Sequence, residues 1–264
     1  MKDFRQEFTK LITKIKNNEQ FAFARFSDGE LFIMQNKTVI LAENHYITGE
    51  IKGPNIYTEE EQKEFLPERD QFYREKLIEC FKTRAPNYFK GICTSSDPHL
   101  ANENFQYQIE LHGGDHETLT FSNLLINANY SRFVEEMVPL FVARDIIYVV
   151  NKLADTTQLP FPIKKKFEIG SNCMIDDYRR VDEIKEYINS NNINEHIVLC
   201  SAASLSNFII RDCFLENNNN TFLDIGSCLN PLLDLEGWKH TRGYLTHYWL
   251  NSGSPFGTQV DVWN

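Results

Sequence analysis

The sequence lacks most of the motifs that mark a common enzyme class. It has no Gly-x-Gly-x-x-Gly turn, no P-loop lysine and no Gly-x-Ser-x-Gly elbow. These absences argue against a nicotinamide or flavin cofactor, a P-loop nucleotidase and an α/β-hydrolase. Of its six cysteines (Cys80, Cys93, Cys173, Cys200, Cys213 and Cys228), none forms a Cys-x-x-Cys pair. No ligand spacing fits a zinc site, and Cys93 and Cys200 lie in apolar runs, so buried free thiols in a reducing compartment are expected. No apolar stretch follows the charged start Met1–Glu7, and no window approaches the roughly 18–20 apolar residues of a membrane span. Neither a signal peptide nor a span is expected, and the location expected is cytoplasmic. Positive charge is also short: 27 Lys and Arg face 37 Asp and Glu, a formal net charge of −10. Such a surface repels nucleic acid. If this chain handles a diphosphate, the help must be local: a metal ion, an arginine or a helix N-terminus.

What is present is an ordinary globular composition, 42% hydrophobic and 24% charged over 264 residues, enough for a sizeable core. No Pro/Gly/Ser linker or repeat divides the chain, so one domain over residues 1–264 is expected. Spacing predicts helices over Phe4–Ile15, from Gly29 into Met34, over Ala101–His112, Ser131–Phe141, Val181–Ile188 and Ser204–Glu216. A charged helical stretch is expected over Glu59–Thr83, broken near Pro67. Strands are predicted at Phe21–Phe26, Tyr88–Thr94, Thr118–Phe121, Asp145–Val150, Phe167–Ile169, Ile197–Cys200 and Thr221–Ile225. Strands alternating with helices point to an α/β, Rossmann-like fold with a mainly parallel sheet flanked by helices.

Four segments carry polar residues where chemistry is possible. Arg25-Phe26-Ser27-Asp28-Gly29-Glu30 follows a strand and opens a helix, where parallel sheets bind ligands. Asp28 and Glu30 are hard oxygen ligands suited to Mg²⁺ or Mn²⁺, and Arg25 can clamp a phosphate. Equally, Ser27 and Asp28 can cap the helix, with Glu30 favouring its dipole. Ser201-Ala202-Ala203-Ser204 forms a small-residue turn before a helix, an anion cradle or only a tight connection. Asp224-Ile225-Gly226, followed by Asn230, Asp234 and Glu236, ends another strand, and Gly226 permits close backbone approach. Arg242 offers a second phosphate clamp. His112-Gly113-Gly114-Asp115-His116-Glu117 can supply a base or stand as an exposed loop, and the pair Asp97 and His99 has the same two readings.

Taken in order, these segments resemble the GT-D type of bacterial glycosyltransferase. That family has an Asp-x-Glu motif in a context like Arg-Phe/Tyr-Gly-Asp-Gly-Glu, here Arg25–Glu30 with Ser27 for the usual Gly. Arg144–Val149 is similar to its Arg-Asp-Ile-Leu-Ile-Val segment, Gly170–Cys173 loosely matches its Pro/Ser-x-Asn-Ala element, and Ser201–Ser204 replaces its Gly-Pro-Thr turn. Asp224-Ile225-Gly226 matches its strand end, and the resemblance runs from about residue 20 to 245. It departs at Lys152–Pro162, which lacks the family's Gly-rich stretch, and after Gly226, where Ser227, Cys228 and Asn230 replace His or acidic residues. The resemblance implies a GT-D-like fold, a divalent metal (Mn²⁺ or Mg²⁺) at Asp28 and Glu30, and a UDP-sugar donor. It implies transfer to a hydroxyl of a glycan acceptor, with inversion. Arg25, Ser27, Ser201, Ser204, Asp224, Gly226, Asn230 and Arg242 would hold the donor. Asp234, then His116, are the candidate bases, and Tyr244, Tyr248 and Trp249 would stack on sugar or pack inward. A metal-dependent nucleotide or phosphodiester hydrolase, and a non-catalytic nucleotide-sugar or glycan-binding module, are the rival readings.

Overall fold

A computed structural model describes residues 1–94, 102–236 and 259–263. In chain order its elements are α1 (Phe4–Lys16), β1 (Ala22–Phe26), α2 (Asp28–Met34), β2 (Val39–Leu41), β3 (Tyr46–Thr48), β4 (Ile51–Gly53), β5 (Lys63–Phe65), α3 (Gln71–Lys82), β6 (Tyr88–Ile92), α4 (Asn102–His112) and β7 (Leu119–Phe121). A composite helix follows: α5 (Tyr130–Arg132), a π-helical turn (Phe133–Met137) and α6 (Val138–Phe141). The chain continues through β8 (Ile146–Asn151), β9 (Lys165–Ile169), α7 (Cys173–Asp176), α8 (Arg180–Ser190), β10 (Ile197–Cys200), α9 (Leu205–Glu216) and β11 (Thr221–Asp224).

Seven strands form one sheet in the order β7-β6-β1-β11-β10-β8-β9, and every pairing in it is parallel. A strand covered on both faces needs no polar alternation. Accordingly β1, β8, β10 and β11 are buried at every residue, while the edge strand β9 alternates. The helix α9 packs on β1 and β11 and meets α3 and α8 on its flanks. α1 packs against β7, burying Phe4, Phe8, Leu11, Ile12 and Ile15, each contributing about 1.5–3 kcal/mol. Its first turn is capped by Asp3, which accepts the Gln6 N–H at 2.8 Å, as an N-cap aspartate should. This is the expected Rossmann-like α/β arrangement.

One prediction fails. Residues 59–83 are not one helical stretch interrupted near Pro67, but a short turn (Glu59–Glu61), strand β5 and helix α3. β5 completes a second, antiparallel sheet of order β4-β3-β2-β5, pairing Phe65 with Val39 and Lys63 with Leu41. Lys and Glu favour helix only weakly, and pairing with β2 together with burial of Phe65 overrides that preference.

Candidate active site

In parallel sheets the loops that follow strands gather at one end, and ligands bind there. β1 and β11 are neighbours at the centre of the sheet, so the turns after Phe26 and Asp224 meet. From this meeting Arg25 turns its side chain under Gly226. A Cβ at Gly226 would fall 2.5 Å from Arg25 Nη2, and the residue has φ +48°. Both facts require glycine. Arg25 is 8% exposed, and its Nε lies 3.6 Å from Asp224 Oδ2. Asp224 also accepts the Arg25 N–H at 3.3 Å and the Gly226 N–H at 3.0 Å. Burial pushes the Asp224 carboxyl up to about 6 against the pull of Arg25, and Glu30 adds to the rise. Burial opposes the Arg25 charge, yet Asp224, Cys228, Glu30 and Asp28 outweigh it and raise its pKa. Even so, Arg25 Nε and Nη1 have no hydrogen-bond partner among the described residues. Buried donors without partners are costly and rare.

Ser27 and Glu30 hold capping-box positions at the start of α2. The well-formed bond of that box runs from the Ser27 N–H to Glu30 Oε2 at 3.0 Å, while the Ser27 hydroxyl is left without a hydrogen bond. Glu30 is buried, and its other oxygen, Oε1, accepts Ser204 Oγ–H at 2.7 Å. Glu30 therefore ties α2 to the turn before α9. In that turn Ala203 takes φ +41°, a left-handed conformation that costs a non-glycine residue about 1–2 kcal/mol. Ser201 Oγ donates to the Gly226 carbonyl at 2.7 Å and lies 3.0 Å from Tyr148 Oη, fastening the ends of β10, β11 and β8 together. Asp28, by contrast, is exposed and, among the described residues, accepts only the neighbouring Gly29 N–H, at 2.9 Å.

The structure thus brings together Arg25, Ser27, Asp28, Glu30, Ser201, Ser204, Asp224 and Gly226. Asn230 opens a short turn, Asn230–Leu232, beyond Gly226. Asp234 is exposed with φ +53°, beside the loop after β8, where the Asp155 N–H donates to the Leu233 carbonyl at 2.9 Å. His116 is not brought to this cluster. It precedes β7, whose partner in parallel register is β6, so it lies at the amino end of the sheet, opposite Asp28. The residue order carried that signal, since a loop before a parallel strand cannot join loops that follow strands. Arg242, Asp97, His99, Tyr244, Tyr248 and Trp249 lie outside the described residues.

Among the described residues no group of three or more His, Cys, Asp or Glu side chains converges as a metal cage. The donors here suit a different kind of site. Asp28 has a solvent-facing carboxylate, and each Glu30 oxygen accepts one hydrogen bond and retains a lone pair. Mg²⁺ and Mn²⁺ are commonly held by one or two carboxylates, with water and phosphate oxygens completing the shell, and this pair fits that mode.

No protein-family model matches the chain, and no curated protein matches it by sequence. Solved structures do match by shape. One is a domain of unknown function 1792 described as highly conserved and as having a distinct glycosyltransferase fold, with a TM-score of 0.54, 10% identity, and coverage of 90% of this chain and 80% of that one. Another is a glycosyltransferase of the same domain type from Streptococcus sanguinis, with a TM-score of 0.55, 10% identity, and coverage of 90% and 84%. A selenomethionine-substituted structure of that domain gives the same TM-score and coverage as the first. At this identity the likeness is one of fold.

Proposed function

We propose that the chain, as a single domain over residues 1–264, is a GT-D-type, metal-dependent glycosyltransferase. In this reading it moves a sugar from a UDP-sugar to a glycan hydroxyl with inversion. One observation carries the reading. Among the described residues a buried guanidinium, ion-paired with Asp224, has two N–H-bearing nitrogens without a hydrogen bond, and it feels the carboxylates of Asp28 and Glu30, where a diphosphate and its cation would complete each other. When bound by Asp28 and Glu30, a divalent cation supplies Lewis-acid neutralisation of the leaving diphosphate. Arg25 sets its fixed positive charge against the negative charge that grows on the diphosphate as the sugar departs. Asp224 keeps that guanidinium in place. Ser204 fixes the Glu30 carboxylate, and Ser201 holds the Gly226 turn over Arg25. Asp234, exposed at the same end of the sheet, takes the proton of the acceptor hydroxyl as that oxygen bonds to the anomeric carbon and the diphosphate leaves. Among the described residues no helix is long and apolar enough to cross a membrane, and all six cysteines are buried. We take the setting to be cytoplasmic, where buried thiols stay reduced.

The test is a thermal-shift screen of nucleotide sugars with and without Mn²⁺. A UDP-sugar should raise the melting temperature, and Asp28→Ala should remove the metal-dependent part. Absence of both effects in the wild type sinks the proposal. Nucleotide release that needs no acceptor would identify a hydrolase instead, and donor binding without turnover a binding module.

A further inference from the structure

A lysine on the inward side of a strand is costly unless something takes its charge. In β5 the residues alternate. Phe65 is buried, at 1% exposure, and Glu64 turns outward to Arg69, 2.5 Å away. Lys63, two residues from Phe65, shares the inward face. It is half-buried, and its Nζ lies 3.7 Å from where a Gly29 Cβ would stand, directly over the start of α2. The same side chain borders a small cavity with Ser171, Asn172, Ala203 and Ser204. Among the described residues the Lys63 ammonium makes no hydrogen bond or ion pair, although Asp28 and Glu30 belong to the same turn as Gly29. The surroundings are held in place. The Glu64 N–H donates to Asn172 Oδ1 at 3.0 Å, and Ser171 Oγ–H donates to the Glu59 carbonyl, joining β5 and its preceding turn to the loop between β9 and α7.

We propose that Lys63 is a second phosphate-binding cation of this site, engaging anionic phosphate oxygens from the small-sheet side while Arg25 engages them from the parallel sheet. The inference rests on the reading of the site as one for a nucleoside-diphosphate ligand. It adds a residue from the antiparallel sheet and gives that sheet a purpose. An ammonium on a flexible stem acts as a point charge toward phosphate, so arginine should replace it in part and glutamine should not.

Calorimetric titrations of the full chain with inorganic pyrophosphate and with UDP, each with Mn²⁺, test this, with uridine as the phosphate-free control. Lys63→Gln should weaken both phosphate ligands by about tenfold or more, with no change in melting temperature. Lys63→Arg should weaken them much less, and the dependence of affinity on salt should flatten in Lys63→Gln. Pyrophosphate bound as tightly by Lys63→Gln as by the wild type overturns the proposal, as does a wild type that binds no pyrophosphate. The two readings separate cleanly. If Lys63→Gln loses pyrophosphate but the wild type shows no preference for UDP over pyrophosphate, Lys63 stands and the nucleotide-sugar reading falls. UDP bound equally by both proteins does the reverse.

Discussion

Arg25 and Lys90 are two buried cations on neighbouring strands of one sheet. β1 and β6 run in parallel register, with Ala24 opposite Lys90 and Arg25 opposite Gly91, so the two side chains leave opposite faces. Lys90 is completely buried. Its Nζ donates to the Phe81 carbonyl at 3.0 Å, to the Thr83 carbonyl and to His112 Nε2 at 2.7 Å. The carbonyls belong to the C-terminal end of α3, where a cation complements the dipole. Lys90 is thus satisfied by the protein alone. Arg25 has a carboxylate at 3.6 Å and, among the described residues, two nitrogens with no hydrogen bond. The contrast separates a cation whose hydrogen bonds are complete from one whose hydrogen bonds are not. Folding supports an incompletely paired buried charge only where surrounding packing fixes it.

The largest expected effect comes from Arg25→Met. Removing one member of a buried pair strands the other, at about 3–5 kcal/mol, measured as loss of stability in urea. The pH dependence gives the mechanism. Asp224 already has its pKa raised from 3.8 to about 6, and losing Arg25 raises it further. A raised carboxyl pKa means that the ionised form costs stability above that pH, and the cost vanishes as the group protonates. The Arg25→Met penalty should therefore be greatest near pH 8 and shrink toward pH 5. Adding Asp224→Asn should recover much of the stability and none of the binding of a UDP-sugar. A single variant as stable as the wild type at pH 8 would break the comparison with Lys90.

Lys90 gives the next effect. Burial, with Arg84 adding to it, lowers its pKa from 10.5 to about 7, while an unfolded lysine holds its proton to about 10.4. Between those values the unfolded chain binds more protons, so stability rises with pH. From pH 7 to pH 9 this group should add up to about 2 kcal/mol. Comparing wild type with Lys90→Met cancels the other titrations, and the rise should be absent in the variant. Equal slopes would mean that Lys90 stays charged throughout. His112 does not titrate in this window, because burial and Lys90 push it down to about 4.

Much of this was readable in the residues, for identifiable reasons. β10 falls on the predicted Ile197–Cys200, and β11 spans Thr221–Asp224, one residue short of the expected Ile225. Strands covered on both faces leave uninterrupted apolar runs. The turn containing Asp28 and Glu30 could be placed at the carboxyl end of β1 for the same reason. The small sheet was hidden. Its strands are three residues long and largely half-exposed, too short to establish a period, and their pairing is tertiary. Lys63 went unnoticed with it, since inside a charged stretch it looks like solvent-facing helix. The tie from Glu30 to the turn before α9 also escaped the sequence, because spacing alone cannot reveal that Ser204, 174 residues away, donates to it.

A smaller effect is expected from Ser204→Ala. It leaves the buried Glu30 Oε1 without its donor, at about 1–3 kcal/mol. Ser204→Thr, which keeps the hydroxyl, should restore part of that. A cost below about 0.5 kcal/mol would show that Glu30 is held by Ser27 alone, and the distinction between Glu30 as a fixed carboxylate and Asp28 as a free one would weaken.

The smallest effect on folding, and the sharpest test of that distinction, is Asp28→Asn. Asp28 is exposed, and its one bond goes to the next N–H in the chain, which an asparagine oxygen can accept equally well. Surface changes of this kind usually stay within about 0.5 kcal/mol, so melting without metal should be unchanged. The carboxylate charge, however, is what a hard cation requires. The shift produced by Mn²⁺ together with a UDP-sugar should disappear, while stability in the absence of both stays at the wild-type value. If Asp28→Asn instead destabilises the free protein as Ser204→Ala does, then Asp28 belongs with Glu30 as a structural carboxylate. The turn between β1 and α2 would then be a helix cap, and the unpaired nitrogens of Arg25 would need a different partner.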